Sequence, residues 1–127
     1  RLLLDTHALL WWAAGDTKLS RRARAALSGG EHAVFVSAAS AWEIGTKHHL
    51  GKLPTVGPLV DDLLDYLADQ KFVELAIGIR HAQRAAALPD LHRDPFDRML
   101  ISQAQLDNLV LVSNESLFDR YGVRRLW

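Results

Sequence analysis

Short, wholly apolar runs alternate with longer segments of helical period along this chain, and that alternation leaves few folds open. Leu2-Leu3-Leu4 reads as a buried strand. His7 to Ala14 reads as a helix stopped by Gly15, and Ser20 caps a second one, Arg21 to Leu27, ended by Ser28-Gly29-Gly30. Ala33 to Val36 is a second strand, after which Ser37 starts a long helix toward Leu50. Gly51 to Pro58 holds two Gly and two Pro and reads as a loop. Leu59 to Ala68 is an amphipathic helix with Val60, Leu63, Leu64 and Leu67 on its apolar stripe. Asp61, Asp62, Asp65 and Asp69 lie off that stripe and read as a solvated face rather than a metal cluster. Phe72 to Ile77 is a third strand, Ile79 to Leu88 a helix ended by Pro89, and Pro95 opens a helix running to about Asp107. Leu109 to Ser113 is a strand, Ser116 to Arg120 a short helix, and Val123 to Leu126 an edge strand. The pattern predicts one α/β domain over residues 1–127, with a mostly parallel central sheet flanked by helices. Leu2–Leu4 and Leu109–Val112 are apolar enough to be central strands covered on both faces.

Composition narrows the chemistry. There is no Cys, which removes disulfides, zinc fingers and thiol nucleophiles together and fits a cytoplasmic location. Lys plus Arg and Asp plus Glu are 15 each, so the chain is not a general polyanion binder, and nucleic-acid contact must come from a local patch. No stretch approaches the ~18–20 apolar residues of a membrane span.

Three acids stand in apolar surroundings. Asp5 is the only Asp, Glu, Lys or Arg between Leu2 and Gly15; Glu43 holds that position between Ala33 and Thr46, and Glu115 between Asn108 and Phe118. A charge in such a context is costly unless paired or metal-bound. Asp5 and Glu115 follow strands, at the carboxyl ends where open α/β sheets bind ligands. Glu43 lies about two turns into a helix. A fourth acid, Asp97, shares the inward face of its helix with Ile101 and Ala104. Each has an individual explanation. Asp5 and Glu115 can serve the helices that follow them, and Asp97 can favour a helix dipole. Glu43 can complete a capping box with Ser40 or pair with Lys47, and Asp94 reads as an N-cap before Pro95. One acidic site accounts for Asp5, Glu43, Asp97 and Glu115 together. At ~5 Å and an effective dielectric of about 20, each like-charged pair repels by roughly 3 kcal/mol, so such a cluster requires cations or protons. Oxygen ligands without Cys suit Mg²⁺ or Mn²⁺, and the matching reaction is phosphodiester hydrolysis. His7 and His92 lie near the acids, and surface or helix-end roles are the simpler reading for both.

The order Leu-Leu-Asp-Thr-His, Ser-Ala-Ala-Ser-Ala-Trp-Glu-Ile, His-Arg-Asp-Pro-Phe-Asp-Arg-Met-Leu-Ile and Leu-Val-Ser-Asn-Glu resembles PIN domains, and more narrowly the VapC toxins of type II toxin–antitoxin pairs. The resemblance runs over nearly the whole chain and implies a three-layer PIN-like fold and a Mg²⁺- or Mn²⁺-dependent endoribonuclease. Asp5, Glu43, Asp97 and Glu115 would then be the catalytic and metal-holding acids, with Asp94 and Ser113 as accessories. Glu115 stands in Ser113-Asn114-Glu115, where the family often has Asp, so its part is the least defined. The resemblance also implies a small VapB-type antitoxin, an RNA substrate and a homodimer, and no membrane. Lys47, Arg93 and Arg98 are substrate-contact candidates, as are Arg21, Arg22 and Arg24, for which a solvated helix face is the simpler role. Trp11 and Trp12, adjacent on a short helix, cannot both face the same way; one in the core and one in a groove would suit the antitoxin, and both largely buried in a small domain is the equal alternative.

Two other acidic α/β pockets fit poorly. A receiver domain wants a carboxylate pair after its first strand and a late Lys, and a dehalogenase-like phosphatase wants Asp-x-Asp; Asp5-Thr6-His7 and Ser113-Asn114-Glu115 supply neither. A PIN fold kept as a non-catalytic RNA- or partner-binding module is the remaining alternative.

Overall fold

The computed structural model describes residues 1–53 and 57–127. Five strands form one sheet: β1 (Leu2–Leu4), β2 (Val34–Ser37), β3 (Val73–Leu75), β4 (Val110–Val112) and β5 (Arg125–Leu126). Their spatial order is β3-β2-β1-β4-β5 and every pair is parallel. The sequence pattern predicts a mostly parallel sheet; the last, short strand completes an all-parallel one.

β1 sits at the centre. Leu2, Leu3 and Leu4 pair with Val34, Phe35 and Val36 on one side and with Val110, Leu111 and Val112 on the other. Strand alternation then divides the core. Leu2 and Leu4 join Val34, Val36 and Val112 under α1 (Thr6–Ala14), α2 (Arg21–Ser28) and α5 (Leu63–Gln70). Leu3 and Leu111 face the other way, onto Leu100, Ile101 and Ala104 of α7 (Pro95–Asp107) and onto Phe118. The result is the expected three-layer α/β fold. The flanking set is completed by α3 (Ala38–His49), α4 (Gly57–Asp61), α6 (Ile79–Ala87) and a 3₁₀ turn over Ser116–Tyr121.

Local chemistry explains the boundaries. Asp5, Ser20, Ser37 and Asp94 are N-caps whose side chains accept backbone N–H groups, and Pro95 occupies the first position of α7. The long helix therefore begins at Ala38 with Ser37 as its cap, which leaves no capping-box role for Ser40. Gly15 closes α1 at φ 63°, a conformation that costs glycine nothing.

Two sequence expectations change. The predicted helix Leu59–Ala68 is two helices, α4 and α5, because Asp62 turns out of helical geometry (φ −153°, ψ 88°) and caps α5 by accepting from the Asp65 N–H. The predicted loop Gly51–Pro58 ends early, since Gly57 and Pro58 open α4; its residues 54–56 lie outside the described residues. Among the described residues no helix is long and apolar enough to cross a membrane.

Candidate active site

The chain runs from β1 outward to β2 and β3, then returns to place β4 and β5 on the other side of β1. The reversal falls between β1 and β4, and ligands of open α/β sheets bind at the carboxyl edge of such a switch point. Asp5 follows β1 there, and Ser113 to Glu115 follow β4. Glu43 reaches the same edge from α3, and Asp97 from the first turn of α7.

Asp5 and Glu43 are buried, at 4% and 3% exposure. Asp5 accepts the Ala8 N–H at 2.7 Å. Burial raises its pKa, against the lowering effect of the Ser113 hydroxyl, the Ala8 N–H and His7; the Glu43 charge raises it further. One Glu43 oxygen, Oε2, meets the Lys47 ammonium at 2.5 Å. The other, Oε1, is buried with no hydrogen-bond partner. Asp97 keeps 24% of its side chain exposed and lies 2.8 Å from His92 Nε2, although that nitrogen makes no hydrogen bond of proper geometry. The Asp97 carboxyl is pushed up to about 7, first by burial and then by the charges of Asp94, Glu43, Asp5 and Glu115. The five acids thus share one electrostatic neighbourhood.

They do not share it equally. Glu115 is exposed, and its Oε1 accepts the Leu117 N–H at 3.0 Å as the cap of the 3₁₀ turn. Asp94 accepts from the Phe96 and Asp97 N–H groups, the cap expected of it. Ser113 is fully buried and holds both Asp5 and the Glu115 N–H. Beneath the acids, Thr6 donates to Ser40 at 3.0 Å and Ser37 to Gln103 at 2.6 Å. These buried bonds tie α1 to α3 and the β2–α3 junction to α7, fixing the helices that carry Asp5, Glu43 and Asp97.

The substrate-contact candidates part ways. Arg93 is exposed. Lys47 is held by Glu43. Arg98 is engaged within the fold: its guanidinium donates to the carbonyls of Ala85, Leu88, Pro89 and His92, with 12% of the side chain exposed, so it braces the α6–α7 connection. His92, given a surface or helix-end role from sequence, instead stands against Asp97. Its place two residues before the Asp94 cap was the available signal. Trp11 and Trp12 both pack partly buried on the core, Trp11 against Trp127 and Trp12 against Phe72.

The donor chemistry suits a hard divalent cation: buried carboxylate oxygens, one of them unpartnered. As placed, no three His, Asp or Glu side chains among the described residues stand close enough to hold one ion. Lys47 and His92 instead lie against Glu43 and Asp97. A hollow of about 640 Å³ beside α6 and α7 is lined by Arg84, Leu88, Gln105 and Tyr121 and contains no acid, so it is unrelated to this chemistry.

The sequence matches the PIN domain model over residues 2–124, and the chain belongs to the PIN domain family. No curated protein matches it. Among solved structures the fold is similar to that of DNA-bound VapBC from Salmonella typhimurium, at 17% identity and a TM-score of 0.73, covering 99% of this chain and 96% of that one. VapBC2 from Rickettsia felis, bound to a DNA fragment from its promoter, is similar at 15% identity and 0.71, covering 98% and 96%. A toxin–antitoxin complex from Klebsiella pneumoniae is similar at 20% and 0.63, covering 91% and 88%.

Proposed function

We propose that this protein is a Mg²⁺- or Mn²⁺-dependent endoribonuclease, the VapC-type toxin of a toxin–antitoxin pair, which acts as a homodimer and is restrained by a small VapB-type antitoxin. The observation that carries the nuclease reading is that Asp5, Glu43 and Asp97 all reach the carboxyl edge of the sheet at the switch point, where burial first, and then the charges of Asp94, Glu43, Asp5 and Glu115, push the Asp97 carboxyl up to about 7. The antitoxin, the RNA preference and the dimer rest on the likeness to VapC proteins.

Asp5, Glu43 and Asp97 would hold the cation, and Glu115 would join them only by leaving Leu117. A divalent cation there supplies a polarised phosphoryl oxygen and an activated water. The chain supplies the rest. Ser113 would orient Asp5, Lys47 would neutralise Glu43, and Arg93 would offer an exposed charge to the RNA backbone. His92 Nε2, beside Asp97 Oδ2, is placed to hold a proton at that edge.

The second reading, a non-catalytic binding module, is favoured by Glu115 being engaged as a cap and by the absence of a converged ligand triple among the described residues. A cleavage assay on RNA with added Mg²⁺ or Mn²⁺ separates them. The nuclease reading expects cleavage that EDTA and Asp97→Asn each abolish. Full cleavage in EDTA rejects the metal mechanism, and no cleavage with either ion leaves the binding module.

A further inference from the structure

Trp42 is the most exposed aromatic side chain on the described surface, at 69%, in a molecule that otherwise folds its tryptophans against the core. It immediately precedes Glu43. Its ring meets that of Phe96, which immediately precedes Asp97, with centroids 5.2 Å apart and planes at 80°. Adjacent helical residues project in different directions, so the exposed Trp42 ring turns outward while Glu43 is buried, and the ring contact puts the pair on the surface flanking the two helices that carry Glu43 and Asp97.

We infer that Trp42 and Phe96 form a stacking platform for an unpaired base of the RNA, on the surface that flanks the acids. This inference rests on the nuclease reading above. An edge-to-face pair leaves ring faces uncovered, and a base stacks on such a face whatever its identity. The approach is open: Ala38 and Gly45, at i−4 and i+3 on the same helix face, are both exposed and small, and a Cβ at Gly45 would meet nothing within 4 Å.

Charge gives a platform something to add. Nucleic-acid affinity ordinarily comes from Lys and Arg on phosphates. Here the net charge is +0, Lys47 is held by Glu43 and Arg98 by backbone carbonyls, so of these three candidates Arg93 alone offers an exposed cation. Stacking compensates for that weak electrostatic hold and selects single strands, because duplex bases already stack on one another. A role as a packing clasp between α3 and α7 does not account for a ring left more than two-thirds exposed.

The test measures binding of a single-stranded oligoribonucleotide of about 12 nucleotides in EDTA, so that it is independent of cleavage. Trp42→Leu keeps apolar bulk and removes the flat face; it should weaken binding about 5- to 150-fold, and Trp42→Phe should restore most of it. Gly45→Leu, which has room to fold, should obstruct the face and weaken binding with Trp42 intact. Unchanged binding in Trp42→Leu and Gly45→Leu overturns the platform even if the protein cleaves RNA. A Trp42→Leu protein that dissociates from a dimer to a monomer assigns the ring to a self-interface and also overturns it. Wild-type protein that binds the strand through Trp42 but cleaves nothing with Mg²⁺ or Mn²⁺ rejects the nuclease reading while the platform stands.

Discussion

His92 Nε2 stands 2.8 Å from Asp97 Oδ2 across the N-terminal turn of α7, and the Asp97 carboxyl is nonetheless pushed up to about 7. Burial and four neighbouring acids together outweigh whatever the ring contributes. Near neutral pH about half of the Asp97 carboxyls therefore carry a proton. The site is built around a charge that the fold disfavours and that a cation would relieve.

Asp97→Asn should stabilise the metal-free protein and abolish turnover. A carboxyl raised from 3.8 to about 7 contributes stability while protonated, fully below about pH 4, and loses it as pH rises through 7. At 1.36 kcal/mol per unit the loss approaches about 4 kcal/mol, while the helix-dipole benefit forfeited by the amide is about 0.3–1 kcal/mol. Melting in EDTA at pH ~8 should show the Asp97→Asn protein above the parent, with the gap closing toward pH ~4. Asp94→Ala should move the other way, losing about 0.5–2 kcal/mol of cap. A lower Tm for Asp97→Asn at pH ~8 would make Asp97 a structural residue.

Lys47→Met should enlarge the response to Mg²⁺. In the parent an arriving cation competes with the ammonium for Glu43 Oε2. Without Lys47 the buried carboxylate loses its partner, costing about 1–3 kcal/mol in EDTA, and metal restores more of it. Thermal melts across a Mg²⁺ series measure both effects; equal Mg²⁺ shifts in parent and variant place the ion away from Glu43.

Arg98→Ala should destabilise by about 2–4 kcal/mol, and Arg98→Lys should recover little of that. A planar fork serves several carbonyls at once, and an ammonium cannot copy its geometry. Urea unfolding gives the comparison. If Arg98→Ala keeps its midpoint but binds RNA weakly, the guanidinium belongs to the substrate after all.

Glu115→Gln should be milder than Asp97→Asn in an RNA-cleavage assay. Its amide oxygen can still accept the Leu117 N–H. Glu115→Ala should instead cost about 0.5–2 kcal/mol of stability through the lost cap. Activity of Glu115→Gln as low as that of Asp97→Asn would show that Glu115 turns inward to hold the ion.

Much of the architecture is written in short-range chemistry. Apolar triplets mark β1 and β4, capping residues mark the starts of α1, α2, α3 and α7, and the alternation of the two periods calls for a layered sheet. Asp5, Glu43 and Glu115 are conspicuous because a lone charge in an apolar run needs a reason to be there, and Asp97 because it shares a helix face with Ile101 and Ala104. These signals depend only on neighbours a few residues away. The break at Asp62 was hidden because the apolar stripe continues across it, while the cap that ends one helix and begins the next depends on a backbone turn.

The partners of those side chains could not be read the same way. Arg98 looks like any solvent-facing cation until α6 ends beside it and presents the Ala85 and Leu88 carbonyls. Lys47 matches Glu43 in spacing, but only the burial of Glu43 makes the pairing consequential. His92 reaches Asp97 because of how the chain enters α7, and Trp42 meets Phe96 because α3 and α7 pack side by side. Local sequence sets which backbone conformations are cheap and where a charge is out of place. Which atoms satisfy that charge is decided by contacts between residues far apart in the chain, and those exist only once the sheet has ordered its strands.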